Sequence, residues 1–222
     1  MSIHSYYYQE YAMAPRYSDE TRKQMMKETR ERLLNAAAEE FAREGYPGAN
    51  VNNITKSAGV ATGTIYNYFP SKKELMLALL SEIGTAHCAF IAEQIRQETD
   101  CRRRVEGLFE AGFGYVIENP LQSRVLFTTL QGTNQEFRTH LNQIYQPMFL
   151  LIVEDILVPG MQQGIFQQLE PISTSMMIMT FYLGIGSTVD ESGQTPLNLK
   201  DVSAFVLRAL GAEMNDQHSI GE

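Results

Sequence analysis

Between Thr62 and Tyr68 the chain reads TGTIYNY: two threonines, two tyrosines, an asparagine and a glycine around one isoleucine. None of these is a strong acid, base or thiol at neutral pH, so the chemistry on offer is hydrogen bonding rather than catalysis. On a helix, Ile65 and Phe69 stand four apart and turn inward. Thr62, Gly63, Thr64, Tyr66, Asn67 and Tyr68 then fill the remaining directions. A helical glycine costs about 1 kcal/mol against alanine. Its use is plain where another surface must approach the backbone closely, and the major groove of duplex DNA is such a surface. Asn67 is the candidate for a base edge. Thr62 and Thr64 suit phosphates or a thymine methyl, and the hydroxyls of Tyr66 and Tyr68 suit phosphate oxygens. Lys72 adds a cation at the start of the next helix, where the backbone also favours an anion. Phosphate contacts set register and base contacts specify. The same spacing leaves a plainer reading open: Tyr66 and Tyr68 as core or interface residues, Thr62 as a helix cap, Lys73 as a solvated charge.

The flanking segments read as the frame for this surface. Asn50 can cap a short helix that begins with Val51 and Asn52 and buries Val51, Ile54 and Ala58. Gly59 ends it, and the turn GVA joins it to the helix from Thr62 to about Phe69, a helix-turn-helix. Upstream, TRKQ at 21–24 fits a capping box, and Leu33, Leu34, Ala37, Ala38 and Phe41 recur at helical spacing up to a stop at Gly45. Downstream, Pro70 ends the third helix, and Ser71 with Glu74 forms a second capping box ahead of an apolar run. Helical periodicity continues over about 102–118, 121–130, from 135 with a kink expected at Pro147, 171–189 and 199–210. No strand pair with a hairpin turn and no fixed repeat stands out. The fold class is therefore all-α, in about nine helices.

Composition narrows the partner. The 222 residues carry a net charge of −8, yet residues 16–76 hold ten Lys and Arg against eight Asp and Glu, while residues 77–222 hold eight against seventeen. Only the N-terminal third is net basic, so the acidic remainder would turn that third toward a polyanion. Cys88 and Cys101 form neither a disulfide framework nor a zinc spacing, which points to a reducing, cytoplasmic setting. No secretory signal opens the chain. The uncharged stretch between Glu170 and Asp190 has the length of a membrane span, but its Ser, Thr and Gly content and missing basic flanks favour a helix buried in a core or an interface. No Gly-rich phosphate loop, H-E-x-x-H or G-x-S-x-G is present, and His4, His87, His140 and His218 are scattered. Neither an enzyme, a metal nor a cofactor is expected.

The stretch LLNAAAEEFAREGYPGANVNNITKSAGVATGTIYNYFPSKKELMLALL, residues 33–80, resembles the N-terminal domain of the TetR family of bacterial transcriptional regulators. AAAEEFAREGY, AGVATGTIYNYF and SKKEL stand in that family's order and spacing. The resemblance implies that Thr62, Gly63, Thr64, Tyr66, Asn67, Tyr68 and Lys72 face DNA, and that Asn50, Val51 and Asn52 start the helix braced against its backbone. Three positions depart from the pattern: Ala61 stands where Ser is common, Thr62 where Lys or Arg is common, and Asn52 where Arg is frequent. Losing two cations should shallow the salt dependence, and a basic arm at Arg16, Arg22 and Lys23 is the candidate compensation.

The resemblance also implies a larger helical domain that binds a small effector and dimerises through its last two helices. The expected division is a flexible arm at 1–20, a helix-turn-helix domain at 21–72, a ligand-binding and dimerisation domain at 73–212 and a polar tail at 213–222. One helix-turn-helix contacts few bases, so a two-fold homodimer on a palindromic operator is expected. Gly184 and Gly186 would allow close helix approach at its interface. Phe109, Phe113, Phe127, Tyr145, Met148, Phe149, Met176 and Met179 read first as a plain core, and are the candidates for an apolar effector cavity with adaptable methionine walls. Arg124, Gln131, Asn134 and His140 could add polarity. The expected activity is that of a repressor released by a small apolar effector. The alternatives are an effector-independent DNA-binding dimer, or a helical enzyme or carrier with a vestigial helix-turn-helix.

Overall fold

The computed structural model of the chain describes residues 18–188, 190 and 195–212. Among these residues every regular element is helical and no strand occurs. The expected polar tail, Arg16 and most of the arm lie outside the described residues.

Helix α1, Asp19–Gly48, starts earlier than its sequence suggests. Ser18 is the cap and accepts from the Thr21 N–H at 3.2 Å, so Thr21 lies inside the first turn and the arm ends before residue 20. A hydroxyl at Ser18 satisfies one of the otherwise unpaired donors, which is why the helix reaches back to it. Gly45 has φ +66°, breaking the helix there as expected, and one further turn reaches Gly48. Asn50 caps α2, Val51–Ser57, by accepting from the Asn52 N–H. Gly59, at φ +67°, turns the chain into the next element.

That element is a 3-10 helix over Thr62–Asn67, shorter and tighter than the α-helix to Phe69 that its spacing predicts. Thr64 N donates to Ala61 O and Tyr68 N to Ile65 O, both three residues back. Pro70 contributes no N–H to extend an α pattern, and Ala61 offers no side-chain cap at the other end.

Helix α3, Lys72–Gln97, begins at Ser71, whose hydroxyl accepts from the Glu74 N–H, and carries the chain out of the helix-turn-helix. It packs against α4, Cys101–Glu118, and α6, Gln135–Leu151. Between them, α5, Pro120–Gln131, rests on α1. Helix α6 continues through Pro147; the departure from α geometry comes later, in a π segment over Ile152–Leu157 where Val158 N reaches Val153 O. Helices α7, Val158–Gln162, α8, Pro171–Gly186, and α9, Leu199–Ala209, complete the bundle, with α9 on α4. One apolar cluster runs from Leu33, Ile54 and Ile65 through Leu75 and Ile91 to Phe109, Leu141 and Ile156, so α3 belongs to both ends of the molecule.

Helix α3 and the stretch Gln135–Gln162 are long and apolar enough to cross a bilayer. Each turns one side into the cluster, as core helices of soluble proteins do. The 16 residues of α8 are shorter than a span needs.

Candidate nucleic-acid interface and effector cleft

The surface around the 3-10 helix is built on two anchors. Ile65 and Phe69 are buried beside Ile54 and Leu75, so their neighbours are forced outward. Tyr66 is 54% exposed, and Thr62, Gly63 and Asn67 are exposed with it. A β-carbon at Gly63 would meet no atom within 4 Å, which leaves the backbone open to an approaching surface. Thr64 and Tyr68 are half-buried, and Tyr68 packs on the apolar cluster. The Thr62 hydroxyl lies 3.4 Å from that of Thr55, which in turn donates to Asn52 O, so this side chain helps tie α2 to the 3-10 helix.

Asn50, Val51 and Asn52 divide their work. Asn50 is the cap, Val51 is half-buried, and Asn52 alone projects freely. Behind them stands Glu40, a buried carboxylate that sequence reasoning passed over. Its Oε1 accepts from Asn50 N and from Asn53 Nδ2, each at 3.0 Å, and its other oxygen pairs with Arg43. The Asn50 N–H, with Asn53 and Arg43, holds its carboxyl below the usual carboxylate range despite burial. The helical register of α1 puts Glu40 on the same side as Ala37 and Phe41, and a charge on a core face was the available signal.

Lys72 does not project as expected. Its Nζ donates to the carbonyls of Tyr46 at 2.9 Å and Ala49 at 3.0 Å, reaches Pro47 O at 3.4 Å, and lies 4.8 Å from the centre of the Tyr46 ring. The end of α1 and the loop after it leave carbonyls without helical partners, and the amine satisfies them. Lys73 is paired with Glu136 at 3.0 Å.

In the larger part, a cleft of about 380 Å³ opens between α4, α5 and the end of α8. Val116, Pro120, Leu121 and Phe127 form apolar walls, and Ser123, Arg124, Thr128, Gln131, Ser187 and Asp190 add polarity. Ser123 is only 3% exposed and its hydroxyl has no hydrogen-bond partner within the protein. A β-carbon at Gly186 would stand 2.3 Å from Phe127 Cζ, so this glycine admits the ring that floors the cleft.

Of the eight apolar candidates, only Phe127 lines this cleft. Phe109, Phe113, Tyr145, Met148 and Met179 are buried core, and Phe149 is half-buried against it. Met176 is 59% exposed on the outer face of α8. Helix α8 carries no charge, so its sequence could not say which side faces out. Among the polar candidates, Arg124 and Gln131 line the cleft. Asn134 is the cap of α6, and His140 bonds Ser81 and Leu77 O elsewhere. Gly186 packs within its own subunit rather than outward, whereas a β-carbon at Gly184 would meet open space. Met177 and Phe205 are exposed beside Met176 and line a second apolar groove between α8 and α9.

Comparison with known proteins agrees with this layout. A family model described as "Bacterial regulatory proteins, tetR family" matches residues 33–79, and one described as "YsiA-like protein, C-terminal region" matches residues 84–192. The chain is 30% identical over 132 residues to the fatty acid metabolism regulator protein of Bacillus subtilis, covering 60% of this chain and 68% of that one. It is similar in structure to the fatty acid degradation regulator FadR of Bacillus halodurans, with a TM-score of 0.72 and 25% identity over 83% of this chain and 97% of the other. It is similar also to FadR of Bacillus subtilis, solved in complex with stearoyl-CoA, with a TM-score of 0.70 and 26% identity over 81% and 96% of the two chains. These relatives are regulators, which sets aside the reading as an enzyme. With both parts of the chain matched in order, an exposed recognition segment and an all-helical bundle behind it, the chain belongs to the TetR family of bacterial transcriptional regulators.

Proposed function

We propose that this regulator is a cytoplasmic homodimer that represses transcription from a palindromic operator and leaves it when a fatty acyl thioester occupies the cleft between α4, α5 and α8. The observation that carries the reading is the outward set Thr62, Gly63, Tyr66 and Asn67 around an open backbone, held by buried Ile65 and Phe69. The 21–72 portion reads the DNA, and the 73–212 portion holds the effector and the partner subunit. The effector class is supported by the cleft itself, which offers apolar walls for a chain and an unpartnered buried Ser123 hydroxyl for a carbonyl. It is supported also by the relative solved with stearoyl-CoA. A route to the DNA is at hand: α5 forms a wall of the cleft and packs on α1. An occupant that shifts α5 biases the half-site spacing of the dimer.

Gel shifts on the DNA upstream of the chain's own gene test this. Binding to that DNA should fall by about 1–3 kcal/mol for Asn67→Ala, as for a lost base contact. Long-chain acyl-CoA should release the complex and raise the melting temperature of the free protein. Release without a melting shift, or neither effect, would reject the effector class. A reporter that falls rather than rises on deletion of the regulator would make it an activator.

A further inference from the structure

Sixteen residues after Asp19 the first helix is well inside the fold, but its beginning is not. From Ser18 to Glu28 every residue of α1 is exposed, and the first buried side chain is Leu33. The helix crosses the helix-turn-helix just beyond that point. Arg32 donates to Ala58 O at 3.1 Å, in the turn, and Arg30 lies 5.6 Å from the centre of the Phe69 ring while pairing with Glu82. Ten further residues toward the N-terminus project about 15 Å past this crossing. That is longer than the roughly 12 Å width of a major groove.

The charges on this projection differ from those behind it. Arg30, Arg32, Arg43, Lys72 and Lys73 are each held by a carboxylate or by backbone carbonyls of the protein. Within residues 18–76, Arg22, Lys23 and Lys56 have no such partner, and Lys27 has only Glu31 at 3.9 Å, both side chains exposed. The helical repeat places Arg22, Lys23 and Lys27 in line with Arg30, Leu33, Ala37 and Phe41, the side α1 turns to the helix-turn-helix, with Glu28 and Glu31 on the flank and the acids Asp19 and Glu20 confined to the first turn. Within that portion, the cations still available to an anion therefore lie mostly on the projecting turns. It stands beside a recognition surface that lacks cations at positions 52 and 62.

We propose that the first three turns of α1 are a second DNA-contacting element, in which Arg22, Lys23 and Lys27 bind the sugar-phosphate backbone beside the half-site. The inference rests on the reading of the 3-10 helix as the base-reading element and extends the interface beyond it. The unpaired cations select the occupant: Arg22, Lys23 and Lys27 share one side behind the first-turn acids Asp19 and Glu20, and the helix start has no apolar surface of its own beyond Met25 and Met26.

The test is the salt dependence of binding by the full-length protein, measured by fluorescence anisotropy. The probes are the duplex upstream of its own gene and a random duplex of equal length. Each phosphate contact contributes about 0.9 to the slope of log affinity against log salt. The triple change Arg22→Gln, Lys23→Gln, Lys27→Gln should shallow the slope by about 2 to 3 per bound subunit, about 5 for the dimer, on both duplexes. It should leave melting unchanged, because the three side chains are exposed. Lys200→Gln, on the far helix α9, should leave the slope as it is. A triple variant with the wild-type slope would overturn the proposal while leaving the recognition segment intact. Failure of the wild type to bind either duplex at low salt would overturn both.

Discussion

His87 sits at the centre of the larger bundle with 1% exposure, between two tyrosines. Its Nδ1 is 2.7 Å from the Tyr145 hydroxyl and its Nε2 is 2.8 Å from that of Tyr182, while Tyr115 stacks on the ring at 4.6 Å. Burial pushes the imidazole down to about 4, against the pull of the Gly112 carbonyl. The unfolded chain takes up this proton near the ordinary value of 6.5, and the folded chain only near 4. Protons therefore favour unfolding between those values. The contribution is whole above pH 6.5 and falls by about 3 kcal/mol as the pH drops to 4. Denaturant titrations at stepped pH should show that slope, and His87→Phe should flatten it while lowering stability at pH 7 by about 1–3 kcal/mol, because two buried hydroxyls lose their partner. Lys72 makes a contrast at the same scale. Lys72→Met should lower the melting temperature, since three carbonyls lose their donor. It should leave the salt slope of DNA binding unchanged, and a slope shallower by about 0.9 per subunit would mean that the amine reaches a phosphate.

At the scale of elements, the caps and stops were legible because they are local. Asn50, Ser71 and Gly45 act within four residues of themselves, and each does in the fold what its type dictates. The inward pair Ile65 and Phe69 was legible for the same reason. What could not be read was whatever depends on a partner far along the chain. The amine of Lys72 turns back to carbonyls about 25 residues upstream, and Glu40 reaches forward to Asn50 and Asn53. The cleft is the clearest case, because aromatic and methionine residues look alike in a sequence whether they fill a core or line a hollow. Phe127 was found, while Ser123, Val116 and Thr128 were not, since none has a distinguishing pattern. Gly186 gives this element its test. Gly186→Ala should drive the Phe127 ring into the cleft and weaken acyl-CoA binding in calorimetry, with DNA binding in its absence retained.

Over the whole molecule, net charge divides along the chain, and one helix pair carries a cluster of exposed apolar side chains. The net acidic charge belongs to residues 77–222, and Ile172, Met176, Met177 and Phe205 stand open together on α8 and α9. A patch of this kind on a soluble protein marks an interaction surface, and a two-fold copy is the partner we propose. Met177→Arg with Phe205→Arg should shift sedimentation from dimer to monomer and reduce operator affinity, because one half-site alone holds too few contacts.

The Tyr145–His87–Tyr182 chain has one more consequence. A neutral imidazole has a single N–H and a single lone pair, so one tyrosine must donate and the other must accept, and the order can reverse. The three groups sit on α6, α3 and α8, so any displacement of α8 that lengthens the Tyr182 bond strips Nε2 of its partner and leaves the balance of the two ring tautomers to Tyr145 alone. The nitrogen chemical shifts of this one histidine thus form a built-in gauge of helix position, readable by NMR without a label on the DNA or the effector.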